Sequence, residues 1–206
     1  DGQAQTPAGT TASGSVSRSL GAEAGNVTES LATLESSCSS SVAPPGDGWT
    51  CLREVDAKTL RQDGRVHLKL PSPGACSERP RHVTVVRAGE SLYAFDAGCY
   101  HAGGPLGIGD IEEVGEERRA CIKCPWHQYL VDLETGHQWY HPMKEDEKGN
   151  YVTSDEWRAS TKPMQRIHEA WEHDGAVHIR LCLEGRRESD IWAKREECYR
   201  ELDFND

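Results

Sequence analysis

Two short segments of the chain each carry one cysteine and one histidine, and they constrain the fold more than any other feature. The first is Cys99-x-His101 and the second is Cys124-x-x-His127, with 22 residues between them. For these side chains to act together, the fold must bring two separate loops side by side. A Cys2His2 set could hold one zinc ion in tetrahedral S2N2 ligation. It could also hold a [2Fe–2S] cluster in which two cysteines bind one iron and two histidines bind the other.

The region 49–183 has the pattern of short strands. Val66, Leu68 and Leu70 alternate with polar residues, as in a strand with one buried face. Two hairpins are predicted, one turning at 88–90 and the other at Asp174-Gly175, where both residues tolerate positive φ. The strands expected to flank these turns include Ser91–Ala97, Gln165–His173 and Ala176–Leu183. The fold class predicted is therefore all-β, a small antiparallel barrel or sandwich.

The two ends of the chain differ from this region. Residues 1–48 are rich in Gly, Ala, Ser and Thr and contain no aromatic residue, which predicts a low-complexity tail. Residues 184–206 are charged, and Ile191, Arg195, Cys198 and Leu202 would share one face of a short helix. We therefore expect a tail over 1–48, a strand-rich domain over 49–183 and a C-terminal segment, largely helical, over 184–206.

The charge and hydropathy of the chain exclude several classes of partner. Its 206 residues carry a formal charge of −11 and lack any run rich in Lys and Arg, which argues against nucleic acid. No stretch approaches the roughly 20 apolar residues of a membrane span. We expect no membrane span in this chain, and we expect an intracellular reducing compartment because most of its eight cysteines have no metal-binding or disulfide pattern.

The two loops resemble those of a known family. The stretches CYHAGGPL from Cys99 and CPWHQY from Cys124 resemble the cluster-binding loops of Rieske iron–sulfur proteins. The resemblance covers roughly 49–183 and is strongest to small soluble Rieske domain-containing proteins of eukaryotes. It implies a Rieske-type fold, a [2Fe–2S] cluster, and histidine edges near solvent. The ligands that it implies are Cys99, His101, Cys124 and His127.

Departures from the high-potential Rieske proteins are informative. Those proteins carry an extra cysteine in each loop, where this chain has Gly104 and Trp126, so their disulfide cannot form here. They also place hydroxyl donors at the positions where this chain has Tyr129 and Val131, so at least one hydroxyl donor is missing here. Fewer hydrogen bonds to sulfur stabilise the reduced cluster less, so we expect a potential on the order of −150 mV.

These features favour a one-electron carrier that transfers electrons to and from a redox partner protein and has no substrate site of its own. The alternative is an accessory or structural subunit of a larger redox assembly, contacted by the N-terminal tail. A zinc module without a redox role is the third hypothesis. Five acidic residues within Asp110–Glu117 either form a docking patch for a basic partner or belong to an ordinary solvated loop. Cys121 is expected to be a buried strand residue rather than a ligand.

Overall fold

The computed structural model describes residues 46–56, 60, 64–71, 79–199 and 202. Within these ranges the regular structure is antiparallel β-sheet with three short 3-10 helices. The strands are β1 (Trp49–Asp56), β2 (Arg65–Leu70), β3 (Arg81–Ala88), β4 (Ser91–Asp96), β5 (Asp110–Val114), β6 (Arg119–Lys123), β7 (Leu130–Asp132), β8 (Gln138–Tyr140), β9 (Met143–Glu145), β10 (Tyr151–Thr153), β11 (Arg158–Ala159), β12 (Ile167–His173) and β13 (Ala176–Arg180). The predicted all-β antiparallel fold is confirmed.

The described strands form two main sheets. The larger has the order β1-β13-β12-β4-β3-β2 and the smaller has the order β11-β8-β7-β6-β5, while β9 and β10 form a separate hairpin. Side chains of both main sheets pack into one core, which includes Val86 and Phe95 from the first and Ile122 and Val131 from the second. Cys99 belongs to the same core, as does Cys124. The candidate ligand loops therefore leave from the edge of a rigid, apolar interior.

Both predicted hairpins are confirmed. Ala88 pairs with Ser91 across a two-residue turn, and His173 pairs with Ala176 across Asp174-Gly175. Asp174 has a φ of 50° and Gly175 a φ of 79°, as the sequence of that turn requires. The strands are shorter than expected, because β4 ends at Asp96, β12 begins at Ile167 and β13 ends at Arg180.

Strand β3 is buried on both faces, although its alternating sequence predicts one exposed face. His82 and Thr84 are as fully buried as Val83 and Val85. The covering group at His82 is Tyr199, whose ring stacks on the imidazole with centroids 3.6 Å apart. The C-terminal segment thus packs on the polar side of β3.

The prediction of a C-terminal α-helix is wrong. The segment instead contains two 3-10 helices, Glu188–Ile191 and Glu196–Cys198, joined by extended backbone at Arg195. Asp190 bonds Arg81 and Arg166, and these long-range contacts outweigh a weak local preference for α-helix. The expected helical face is also absent, since Ile191 is exposed while Leu202 is buried.

Three other sequence predictions concern the N-terminal tail, Cys121 and membrane spans. The expected tail, 1–48, lies outside the described residues except for its last three positions, and its boundary remains a prediction. Cys121 is buried on β6, as expected. No helix among the described residues has the length and apolarity needed to cross a bilayer.

Candidate metal centre

The first Cys/His pair lies in a closed loop, Cys99–Gly104, that follows β4. The Cys99 N–H donates to the Gly104 carbonyl over 2.8 Å, and the Cys99 carbonyl accepts from the Gly103 N–H over 2.8 Å. Gly103 has a φ of 70°, a conformation that glycine adopts without steric cost. The loop is thus closed by its own backbone hydrogen bonds.

The second pair lies in a matching loop, Cys124–Tyr129, that joins β6 to β7. The Cys124 N–H donates to the Tyr129 carbonyl over 2.9 Å, and the Cys124 carbonyl accepts from the Gln128 N–H over 2.8 Å. Gln128 has a φ of 60° at the place where the first loop has Gly103. The two loops therefore present cysteine and histidine in the same way.

The two thiols lie together at the base of the loops. Cys99 and Cys124 are each 1% exposed, and their side chains share a hydrogen bond. That bond lowers the pKa of Cys124 to about 6, helped by the N–H groups of Trp126 and His127. The same bond, together with burial, raises the pKa of Cys99. The donors around the sulfurs thus favour the negative charge that a metal-bound thiolate carries.

Backbone donors surround Cys99 as they surround Cys124. The N–H groups of His101 and Ala102 donate to the Cys99 sulfur, two and three residues after the cysteine. Trp126 and His127 stand in the same relation to Cys124. Such donors favour additional negative charge on sulfur.

The two imidazoles lie together at the exposed tips of the loops. The rings of His101 and His127 have centroids 4.7 Å apart and stand nearly perpendicular, at 89°. Both residues are exposed, in contrast to the buried cysteines. The ring of Tyr129 packs beside His101, with centroids 4.6 Å apart.

The loops also touch each other at Gly104 and Trp126. A Cβ added to Gly104 would lie 2.9 Å from the Trp126 ring, so the ring packs directly on the glycine. These are the two positions that carry the disulfide in high-potential Rieske proteins. Trp126 keeps 49% of its surface exposed, and its ring stands edge-on to the ring of His127, with centroids 6.4 Å apart.

The donor set fits a binuclear cluster. The four donors are grouped as a buried pair of sulfurs and an exposed pair of imidazoles. A [2Fe–2S] cluster takes two protein ligands on each iron, so a thiol pair and an imidazole pair match its demands.

Sequence reasoning found no role for Gln165, which organises the first loop. Its side chain is fully buried, and its Oε1 accepts from the Tyr100 N–H over 2.9 Å. Its Nε2 donates to the carbonyls of Asp96 and Gly98 over 2.7 and 2.9 Å. A glutamine 65 residues from the loop has no local signal that would identify it.

Three of the five acids within Asp110–Glu117 are ion-paired. Glu112 pairs with Lys123, Glu113 with Arg118 and Glu117 with Arg119. The negative charge of this stretch is therefore largely compensated by its neighbours, and the stretch is strand β5 with the turn that follows it rather than a loop.

The sequence of this chain matches one family model and is similar to proteins of that kind. The model of the soluble Rieske-type ferredoxin family matches residues 73–184. A human Rieske domain-containing protein is 34% identical over 114 residues, which cover 55% of this chain and 69% of the human protein. The ferredoxin subunit of anthranilate 1,2-dioxygenase from Burkholderia cepacia is 32% identical over 66 residues, or 32% of this chain and 54% of that subunit.

A solved structure is also similar. The ferredoxin of carbazole 1,9a-dioxygenase from Nocardioides aromaticivorans IC177 aligns with a TM-score of 0.40 at 21% identity, over 64% of this chain and 98% of that one. Membership of a family is shown instead by the family model, which matches more than half of this chain, and by the human relative, of which 69% is covered. The chain belongs to the soluble Rieske-type ferredoxins, electron carriers that bind a [2Fe–2S] cluster.

Proposed function

We propose that Cys99 and Cys124 ligate one iron of the cluster, that His101 and His127 ligate the other, and that the chain passes single electrons at low potential to a redox partner protein. The observation that carries the proposal is the pairing of buried thiols and exposed imidazoles on two matched loops. When bound, the cluster accepts and releases one electron. The surrounding residues hold its ligands, exclude water from the sulfur side and leave the histidine side open.

The low potential is supported by a hydrogen-bond donor that the loops lack. Four backbone N–H groups point at the two cysteine sulfurs. A hydroxyl donor is missing at position 131, where Val131 is fully buried in the core. Because each hydrogen bond to sulfur stabilises the more negative reduced cluster, a smaller set of donors leaves the potential near the low end of the Rieske range.

The partner is proposed to dock at the loop tips. His101, Trp126 and His127 are exposed there, and the imidazole edges give the shortest route for an electron to leave the protein. The paired acids of Asp110–Glu117 give little net charge for steering, so we expect association to depend weakly on salt. One relative is the ferredoxin subunit of a dioxygenase, and a redox enzyme is accordingly the class of partner that we propose.

A contact between the partner and the N-terminal tail, 1–48, remains a prediction. Comparing partner binding by the full chain and by a chain that begins at residue 46 tests it. We expect the shorter chain to bind the partner more weakly while its cluster keeps the same potential.

A cysteine pair provides the matched test of the ligand assignment. Cys124 and Cys121 lie three residues apart and both are buried, but Cys121 packs with Val114 and Leu130, whereas Cys124 packs in the core that also holds Cys99. We expect Cys124→Ala to abolish the visible absorption and the reduced-state EPR signal, and Cys121→Ala to retain both. Equal loss in the two variants, or full retention in both, contradicts the assignment.

The potential gives a second, independent test. Redox titration of the purified protein is expected to give a midpoint on the order of −150 mV. A midpoint above about +150 mV, well inside the high-potential part of the range, would contradict the low-potential proposal.

A further inference from the structure

The C-terminal segment braces the first loop, although most of it lies beyond the 73–184 region that the family shares. The indole Nε1 of Trp192 donates to the Tyr100 carbonyl over 3.1 Å. The indole also covers Gly103, since a Cβ added there would lie 2.7 Å from its Cε3 atom. The Tyr199 hydroxyl in turn donates to the Trp192 carbonyl over 2.8 Å.

This brace is anchored independently of the loop. Ser189 Oγ donates to the buried carboxylate of Asp96 over 2.7 Å, and Asp190 accepts from Arg81 and Arg166 over 2.6 Å each. The backbone is fixed as well, because the His82 N–H donates to the Ala193 carbonyl over 2.9 Å. The indole is therefore held in place from the body of the fold rather than by the loop that it contacts.

The carbonyl that Trp192 binds belongs to a peptide group facing the candidate cluster. The Tyr100 carbonyl and the His101 N–H are the two ends of one peptide unit, and that N–H donates to the Cys99 sulfur. A donor on the carbonyl polarises the peptide and strengthens the bond made by its N–H. The chain of contacts therefore runs from the indole N–H through the peptide to a ligand sulfur.

We propose that Trp192 is a positioning residue for the electron-transfer centre: its N–H orients and polarises the 100–101 peptide, which raises the reduction potential. The inference rests on the proposed ligation by Cys99. The electron gained on reduction comes from the redox partner, and no covalent bond in the protein forms or breaks. Gln165 holds the Tyr100 N–H on the other side, so removing the indole N–H weakens one bond without releasing the loop.

The size of the effect follows from the hydrogen bonds involved. Cooperative polarisation changes the strength of a hydrogen bond to a charged group by roughly 10 to 30%. We therefore expect Trp192→Phe to shift the one-electron equilibrium with a reference dye by roughly 1.3- to 4.6-fold toward the oxidised protein. At about 59 mV per tenfold change, this shift is roughly 7 to 39 mV.

The experiment compares full-length, cluster-loaded variants by redox titration and by pulsed EPR of exchangeable protons. Trp192→Phe is expected to lower the potential and to weaken the hyperfine coupling of an exchangeable amide proton. Trp171→Phe is the matched control, because that ring contacts His173 and His178 on the larger sheet, and it should leave both quantities unchanged. Benzothienylalanine at position 192 keeps the bicyclic shape and removes only the N–H, so it should reproduce the shift even if Phe disturbs packing.

The outcomes separate this inference from the ligand assignment. A wild-type potential in the benzothienylalanine protein, or an equal shift in Trp171→Phe, overturns the role of Trp192 while leaving the cluster in place. If Cys99 is not a ligand, the result is different: Cys99→Ala then keeps the full reduced-state EPR signal of the wild type.

Discussion

Gly103→Ala tests the packing of the C-terminal segment on the first loop, and Gly89→Ala is its matched control. Both glycines have positive φ, 70° and 61°. An alanine in that conformation costs roughly 1 to 2 kcal/mol at either position. The surroundings differ, because a Cβ at position 103 would lie 2.7 Å from both Trp192 and Cys198, whereas nothing lies within 4 Å of one at position 89.

The difference between the two variants isolates this contact. Forcing atoms into a packed site costs about 1 to 3 kcal/mol beyond the backbone term. With a urea slope of about 2 kcal/mol per molar, the unfolding midpoint of Gly103→Ala should fall roughly 1 M further than that of Gly89→Ala.

The assay is urea unfolding followed by circular dichroism, with the slopes of the variants compared first. Trp192→Ala should cost less stability in the Gly103→Ala background than in the wild type, because the methyl group and the indole no longer compete for the same space. Equal urea midpoints for the two glycine variants would show that Trp192 does not pack closely against Gly103.

Two further predictions concern the buried polar groups. Gln165→Leu leaves three buried backbone groups unpaired, so it should lower the free energy of unfolding by about 3 kcal/mol or more and speed hydrogen exchange at the Tyr100 amide. The control Gln138→Leu on β8 should lower the free energy of unfolding much less. Equal exchange rates at the Tyr100 amide in the two variants would contradict this prediction. Burial alone would raise the pKa of Asp190, but hydrogen bonds from Arg166, the Arg187 N–H and Arg81 hold it well below its usual value. Its contribution to stability is therefore present above about pH 4 and is lost as the pH falls further. Asp190→Asn should lower the urea midpoint at pH 7 by an amount that shrinks below about pH 4, unlike Asp174→Asn at the exposed turn, and a pH-independent difference would exclude the ionic role.

Local patterns in the sequence were sufficient for the turns and for the candidate ligands. Asp174-Gly175 specifies its hairpin because both residues adopt positive φ, and the structure follows that signal. The four candidate ligands are brought together as two pairs, as their spacing predicts. The turn and each of the two Cys/His loops depend on residues that are close together in the sequence.

Features set by distant contacts could not be predicted. The amphipathic pattern over 184–206 predicts a helix, yet Asp190 bonds to arginines on or beside the larger sheet, and the segment follows those anchors instead. Burial of His82 on β3 has the same origin, because it depends on Tyr199 at the far end of the chain. Gln165 and Trp192 act on the first loop from 65 and 92 residues away, where no local periodicity links them to it.

We propose that two histidines and two cysteines hold a redox-active [2Fe–2S] cluster. Pulsed EPR of the dithionite-reduced protein, grown with ¹⁵N-labelled histidine, tests this ligation. We expect hyperfine coupling from two histidine nitrogens. A colourless zinc protein, or a reduced cluster without coupled histidine nitrogen, would contradict it.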